Sequence, residues 1–383
     1  MKHRSILLFG TTRYTRPLSR SDNSKFIELA SIASVNLLNY GDDNTSYKES
    51  GIFIQNIKEP KYLLIKYIKF YFFSIPKVRK IIKEKEIAIV FAKDAFTGFP
   101  VVLTKKIFND MKHIKIVIES HGDYREMVFK QRKYLFEKIY KIFVSKIGTY
   151  VISNSDMVRG VSSESVSLLT NNKKIKSVYF PAWVDNNVFT TQNISINTNK
   201  NDLLFVGNII PRKGVIFLLE SFKIFCQENA EASFVLIGDA PNKKYLEECR
   251  NYVEGNGLQK RVKFYGKIEQ DKISDLMNES KVLVMASNYE GLPRVLIEAG
   301  LCSLPSLAPN IDGISSPFGT KGGTAIYELN NQDEFLKNLN NFYKDNNYYS
   351  DLSKKAYKIS NELSGKNTFA NNWSNLIEEV TNE

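Results

Sequence analysis

The sequence predicts an α/β protein of two doubly wound domains, each a mostly parallel sheet covered by helices. Three observations carry that prediction. Strand-length apolar runs alternate with helix-length amphipathic stretches, glycines punctuate the strand ends of the second half, and a Thr/Asn-rich stretch without apolar period separates the halves. The 383 residues are enough for two domains with their own cores. The expected division is a first domain over 1–190, a linker over 191–201, a second domain over 202–365, and a C-terminal helix over 366–383 free to cross back to the first domain.

In the first half, residues 5–9 read as a strand, 10–23 as a basic, turn-rich stretch and 25–37 as a helix. Strand 87–91, helix 100–108 and strand 114–119 follow. Residues 125–145 have the length and spacing of an amphipathic helix, and 149–152 read as a short strand. The linker prediction rests on 190–201, which hold three Thr and four Asn.

The second half is more clearly punctuated. Strand 203–206 ends at Gly207 and leads to helix 214–227; strand 233–237 runs into Gly238 and Asp239 before helix 242–253. Strand 262–264 precedes Gly266, helix 271–278 and strand 282–285, then helix 294–300 and strand 306–308. Helices over 332–342, 350–363 and 369–380 close the chain. Repeated strand, Gly turn and helix favour a doubly wound sheet over an antiparallel sandwich.

Charge is unevenly spread. Residues 1–190 hold 32 Lys and Arg against 17 Asp and Glu, a net +15, whereas 191–383 hold 21 against 24, a net −3. A basic half suits anionic lipid or a phosphate-bearing acceptor, although surface lysines that only solvate the fold give the same count. Nucleic acid is disfavoured because no recognition helix or metal-finger spacing accompanies the charge. Lysines interrupt the apolar pieces of 61–85 well short of the roughly 20 residues that span a bilayer. That segment fits a peripheral contact with an anionic membrane surface or an ordinary buried helix equally well. The apolar run 6–9 is too short for a signal peptide. Cys226, Cys249 and Cys302 form neither a disulfide framework nor a metal pattern, and a reducing cytoplasm fits them. With three histidines in the chain, a multi-His metal site is poorly supported. No metal requirement and no bound organic cofactor are expected.

Two segments can gather chemistry. The first runs from the strand end through Gly207 and Asn208 to Arg212, Lys213 and Gly214. Backbone N–H groups after a strand, a helix N-terminus and two cations together favour phosphate, although a solvated basic turn has the same composition. The second holds Glu290, Gly291, Leu292, Pro293, Arg294, Val295 and Glu298. Glu290 falls on a loop and Glu298 on the next helix, so the two carboxylates meet different parts of one ligand. Gly291 allows close backbone approach and Pro293 suits a helix start. Ordinary helix capping is the alternative.

These residues resemble the retaining glycosyltransferases of family 4, nucleotide-sugar enzymes with two facing Rossmann-like domains (the GT-B type) and a central cleft. Glu290 and Glu298 match that family's two glutamates, and the 207–214 segment resembles its phosphate loop. Residues 235–239 (VLIGD), 264–266 (FYG) and 181–185 (PAWVD) with Phe189 match further landmarks. The resemblance is strongest over about 150–310. It implies a nucleotide diphosphate sugar as donor, with Lys213 on the diphosphate, Glu298 on the ribose, Glu290 on the transferred sugar, and backbone N–H groups of 291–295 on sugar and phosphate. Asn208 departs from the family's basic residue, and Arg212 or Arg294 is the candidate replacement. Ser303 stands where a Gly is common.

On the first domain, the resemblance makes His121, at a strand end with Gly122, the cleft-facing residue expected to contact sugar or acceptor. Gly10 opens a loop lacking the family's Gly pair, and Arg13 and Arg16 are acceptor-side candidates. The basic first half fits a phosphate-bearing acceptor, and a carbohydrate or lipid-linked glycan of surface polysaccharide assembly is the expected one. A nucleotide-sugar epimerase and a noncatalytic nucleotide-sugar-binding protein are the alternatives the same residues leave open.

Overall fold

A computed structural model describes residues 4–59, 63–120, 137–170, 174–191, 202–319 and 321–382. The chain divides into two compact units, Met1–Trp183 with Asn367–Glu383, and Val184–Lys366. Each is an α/β unit with helices on both faces of a sheet.

In the first unit, β1 (Ser5–Arg13), α1 (Arg20–Ala30) and β2 (Ser34–Gly41) precede a hairpin of β3 (Ser46–Glu49) and β4 (Ile52–Lys58). Helix α2 (Leu63–Glu84), β5 (Ile89–Ala92), α3 (Ala95–Ile107) and β6 (Lys115–Ser120) follow. Then come α4 (Glu137–Ile152), β7 (Met157–Gly160), α5 (Ser163–Thr170) and β8 (Ser177–Tyr179). The sheet order is β3-β4-β2-β1-β5-β6-β7-β8, parallel except for the β3–β4 pair. A parallel strand covered on both faces needs continuous apolar sequence, and its alternate residues must reach different cores. Strand β1 does this: Leu7 and Phe9 enter the core beneath α2, α3 and α4, while Ile6 and Leu8 enter the one beneath α1.

That second core is closed by the end of the chain. Helix α12 (Thr368–Thr381) buries Trp373, Leu376, Ile377 and Val380 against Phe26, Leu29 and Phe91. The Trp373 ring lies edge-on to Phe91 at 4.9 Å, and Trp183 meets Phe369 in the same way at 4.9 Å. The C-terminal helix is therefore part of the first unit.

The second unit runs β9 (Asp202–Val206), α6 (Val215–Glu228), β10 (Ser233–Ile237), α7 (Lys243–Gly255), β11 (Val262–Gly266) and α8 (Gln270–Glu279). It continues through β12 (Val282–Val284), α9 (Arg294–Leu301), β13 (Ser306–Pro309), β14 (Thr324–Tyr327), α10 (Gln332–Lys344) and α11 (Asn346–Ser364). Its sheet is fully parallel in the order β11-β10-β9-β12-β13-β14. Leu203 and Phe205 of β9 pack towards α6 and α10, and Leu204 packs into the opposite core with α8 and α9.

Several expectations need correction. The helix expected over 25–37 ends at Ala30, and 34–41 is strand β2. Asn36 and Asn39 mimic the polar face of a helix in the sequence. In the sheet they are buried, with the Asn36 amide donating to Ser5 Oγ at 3.1 Å and the Asn39 amide to the Tyr40 carbonyl at 2.9 Å. The strand expected at 149–152 is the last turn of α4, and the neighbouring strand is β7. Short apolar runs fit either element, and here the helix wins by continuity. The turn-rich stretch beginning at residue 10 is strand as far as Arg13. Hairpin β3–β4 and strand β14 are additions. The units divide at Trp183 and Val184 because Val184, Val188 and Phe189 are buried in the second unit's core. Residues 192–201 of the expected linker, and 121–136 including most of the helix expected from 125, lie outside the described residues.

Because Trp373 is buried within the first unit alone, Trp373→Ala should destabilise that unit by about 3–5 kcal/mol, the usual result of removing a core tryptophan. Urea unfolding followed by hydrogen exchange should show faster exchange in β1, β5 and α1, with β9 and β12 unchanged.

Candidate functional site

The order of the second sheet decides where a ligand can be held. Strands β9 and β12 are neighbours, yet the chain leaving β9 passes towards β10 and the chain leaving β12 towards β13, on opposite sides. At such a switch point the two following loops diverge and leave a crevice beyond the carboxyl ends of the strands. Here those loops are 207–214 and 285–293, the two segments that the sequence singles out.

Backbone constraints hold both loops. Gly207 N–H donates to the Ile237 carbonyl at 2.8 Å and Ile209 N–H to the Asp239 carbonyl at 2.8 Å, fixing the first loop to the end of β10. Pro211, Arg212 and Lys213 form one 3-10 turn that ends at Gly214, with φ +63°. A Cβ at Gly214 would lie 2.3 Å from the Ala286 carbonyl oxygen, so this glycine permits both the left-handed turn and the approach of the second loop. Asn288 N–H donates to the Arg212 carbonyl at 2.9 Å and joins the loops directly. Below them, the helical turn Asp312–Ile314 presses against the Glu290 backbone, where a Cβ at Gly313 would meet the Glu290 carbonyl oxygen at 2.2 Å.

This framework brings three predicted side chains together. Lys213 Nζ donates to Glu290 Oε1 at 2.5 Å, and Arg212 Nη1 lies 3.4 Å from the same oxygen. Arg212 Nη1 also donates to the Tyr289 carbonyl oxygen. The Lys213 and Glu290 side chains are only 14% and 11% exposed, so their charges interact in a weakly screened setting. Pro293 is the N-cap of α9, and the first N–H groups of that helix lack intrahelical acceptors, as in every α-helix. Val295 is buried, Leu292 packs at the edge of the core, and Gly291 lies on the loop between Glu290 and the helix.

Glu298 sits one turn into α9, where its carboxylate accepts from Arg294 Nη2 at 3.1 Å. Burial pushes its carboxyl above the ordinary carboxylate range, and Arg294 opposes that shift. Asn208 is exposed, and no side-chain hydrogen bond holds it among the described residues. Arg212 and Arg294, the two candidates to replace a cation at 208, are each engaged by a carboxylate of this site.

The first unit's candidates divide differently. His121 lies outside the described residues. Arg13 pairs with Asp42 at 3.5 Å and with Glu59, and the Arg16 guanidinium covers the Tyr47 ring at 4.4 Å. Both are tied to the β2–β4 side of the sheet. The sequence reading missed the polar residues at this sheet's own switch point, between β1 and β5. There Lys93 Nζ donates to Thr12 Oγ1 at 3.0 Å and Tyr14 Oη at 2.7 Å. Nearby, buried Arg159 donates to Glu119 Oε1 at 3.2 Å and to the Phe180 and Pro181 carbonyls at 2.8 and 2.9 Å. The available signal was position: Lys93 directly follows the apolar run of β5.

Residues 189–359 match the model of a family described as Glycosyl transferases group 1. The GPI3 subunit of phosphatidylinositol N-acetylglucosaminyltransferase from Saccharomyces cerevisiae is 23% identical over 252 residues, covering 63% of this chain and 52% of that protein. The chain thus spans about half the length of this curated relative. An Escherichia coli UDP-Gal:alpha-D-GlcNAc-diphosphoundecaprenol alpha-1,3-galactosyltransferase is 25% identical over 276 residues, covering 70% of this chain and 69% of the relative. Among solved structures, HepE of Anabaena in complex with UDP and glucose aligns with a TM-score of 0.74 and 16% identity, over 98% of this chain and 100% of HepE. The fold is that of the two-Rossmann-domain, GT-B, glycosyltransferases, and the chain is related to members of the group 1 family.

Glu298 also yields a stability test. A carboxyl whose folded pKa is raised binds more protons folded than unfolded between its two values. Its contribution therefore falls as pH rises from the ordinary 4.5 upwards. Glu298→Gln should accordingly gain stability relative to the parent as pH increases from 4.5 to neutrality, as read by urea unfolding at each pH. A constant difference across that range would contradict the burial effect.

Proposed function

We propose that this chain is a retaining glycosyltransferase whose second unit holds a nucleotide diphosphate sugar and transfers the sugar to an acceptor hydroxyl. The observation that carries the reading is the convergence of Lys213 and Arg212 on Glu290 at the β9/β12 switch point, with Glu298 on the helix that follows. In this reading the Lys213 ammonium binds the diphosphate and Arg212 adds charge that Asn208 lacks. The amides at the start of α9 face phosphate and sugar, Glu298 accepts ribose hydroxyls, and Glu290 accepts hydroxyls of the transferred sugar. The likeness to a UDP-containing structure and to a UDP-galactose-dependent relative supports a nucleotide diphosphate donor.

The chemistry follows from charge. Breaking the bond between the anomeric carbon and the diphosphate oxygen places negative charge on the leaving group, where Lys213, Arg212 and the helix amides stabilise it. The acceptor oxygen bonds to that carbon from the same face, and its proton passes to a phosphate oxygen of the departing diphosphate. Configuration is retained without a protein nucleophile. Holding the acceptor hydroxyl against that face of the donor removes much of the entropic barrier. For the acceptor, we favour a lipid-linked glycan of surface polysaccharide assembly. The net +15 of residues 1–190 and the diphosphoundecaprenol acceptor named for the Escherichia coli relative support this. No helix among the described residues is long and apolar enough to cross a membrane. The basic first half suits peripheral contact with an anionic surface at the cytoplasmic face.

The test is an assay of nucleotide-sugar donors against lipid-linked and soluble acceptors, with mass and linkage analysis of products. Donor conversion without an acceptor would point instead to epimerisation. Lys213→Ala should weaken donor binding by about 1.5–3 kcal/mol, roughly 10- to 150-fold, as expected for charge-assisted hydrogen bonds to phosphate. Glu290→Gln should lower kcat more than donor affinity. Unchanged kinetics in both variants would remove these assignments.

A further inference from the structure

The first sheet has a switch point of its own. Strand β1 leads through α1 to β2 on one side, and β5 lies on its other side. Thr12 and Tyr14 lie at and just beyond the end of β1, and Lys93 directly follows β5. Gly10 makes their meeting possible: a Cβ there would lie 2.9 Å from Lys93 Cγ and Cδ, so the lysine stem passes over a position kept empty. The ammonium then donates to Thr12 Oγ1 and Tyr14 Oη and lies 5.1 Å from the centre of the Tyr14 ring.

The charge balance of this cluster is unusual. Its neighbouring cations have carboxylate partners: Lys25 with Asp22 at 3.0 Å, Arg13 with Asp42 and Glu59, and Arg159 with Glu119. Lys93 has no carboxylate within 4.0 Å among the described residues, and its contacts are two hydroxyl oxygens and a ring. Burial lowers its pKa, with Glu119, Asp22 and Asp94 opposing from greater distance. Lys93 is half-buried, and a partly desolvated ammonium with no contacting counter-ion among the described residues is stabilised by an arriving anion. The donor pattern points the same way. Because Thr12 and Tyr14 accept from Lys93, their own hydroxyl hydrogens are directed elsewhere. One remaining ammonium N–H and two hydroxyls form a set of hydrogen-bond donors.

We propose that Lys93, Thr12 and Tyr14 form an oxyanion subsite on the first unit, which binds a phosphate group of the acceptor and makes Lys93 a specificity-determining residue. The proposal rests on the transferase reading for its ligand but not for its site. Inorganic phosphate is the first probe, with the full chain carrying Lys213→Ala to silence the second unit's cation. Lysine labelling by an amine-reactive reagent, read by mass spectrometry, should slow at Lys93 by about tenfold at saturating phosphate, the scale of one charge-assisted hydrogen bond. Chloride at equal ionic strength should not slow it, and exposed Lys354 of the second unit should react equally in both salts. Equal Lys93 labelling in phosphate and chloride would overturn the subsite, whatever the chain transfers. Thr12→Val should weaken the phosphate protection in the folded chain. Protection unchanged by that variant would remove Thr12 from the site.

The second arm compares a phosphate-bearing glycan lipid with the same glycan lacking phosphate. Lys93→Met should raise KM for the first by about tenfold and leave the second and the donor KM unchanged, while Lys93→Arg should restore much of the difference. Equal losses on both acceptors would show a merely structural lysine and overturn the assignment. Phosphate protection with no turnover of any donor would leave the subsite standing and reject the transferase reading instead.

Discussion

The divergence of two parallel neighbours, β9 and β12, is the constraint on which the candidate site depends. Parallel pairing forces both carboxyl ends to one edge of the sheet, and opposite onward connections keep that edge open. Lys213 and Glu290 are 77 residues apart in sequence, so only this topology makes their 2.5 Å contact available. The local details serve the same juxtaposition. Gly214 lets the loops approach, the bond from Asn288 to the Arg212 carbonyl locks them, and Gly313 admits the Glu290 backbone against a helical turn.

Much of this was legible in the sequence because the second half carries strong punctuation. Gly207, Gly238 and Gly266 mark three neighbouring strand ends, and the hydrogen bonds from Gly207 to Ile237 and Gly238 to Gly266 show why the breaks align. The fully parallel sheet helps, since its strands must be apolar on both faces. In the first half the signals mislead. The buried amides of Asn36 and Asn39 look like a solvent face until the sheet supplies their partners. Residues 149–152 show the complementary ambiguity, since four apolar or β-branched residues suit a strand until the preceding helix is seen to continue through them.

The site residues were legible unequally for a related reason. Lys213, Glu290 and Glu298 lie in segments whose glycine and proline pattern marks their backbone, and the family resemblance singles out these side chains. Arg13 and Arg16 stand out in the sequence by their charge and their place after the first strand, and neither reveals which carboxylate or ring already occupies that charge. Lys93 is not marked in the sequence, because what distinguishes it is having two hydroxyl partners and no carboxylate among the described residues. The relevant features are Gly10 yielding space, two hydroxyls accepting and no carboxylate among the described residues closing the contact, and these emerge only when β1 and β5 are adjacent.

The two switch points differ most in how their cations are satisfied. At the second unit's crevice, Arg212 and Lys213 share Glu290, and Arg294 has Glu298. Two cations near one carboxylate repel each other less than they would alone, so the loop can keep positive charge concentrated while no anion is present. A diphosphate arriving there would compete with an internal carboxylate, which tempers ground-state affinity and leaves more of the attraction for the greater charge of the leaving group. At the first unit's switch point, Lys93 is held by hydroxyls and has no such internal competitor among the described residues. In the proposed reaction this asymmetry matches the chemistry. Charge on the donor phosphate grows as the bond breaks, whereas charge on an acceptor phosphate stays constant and needs only to be recognised.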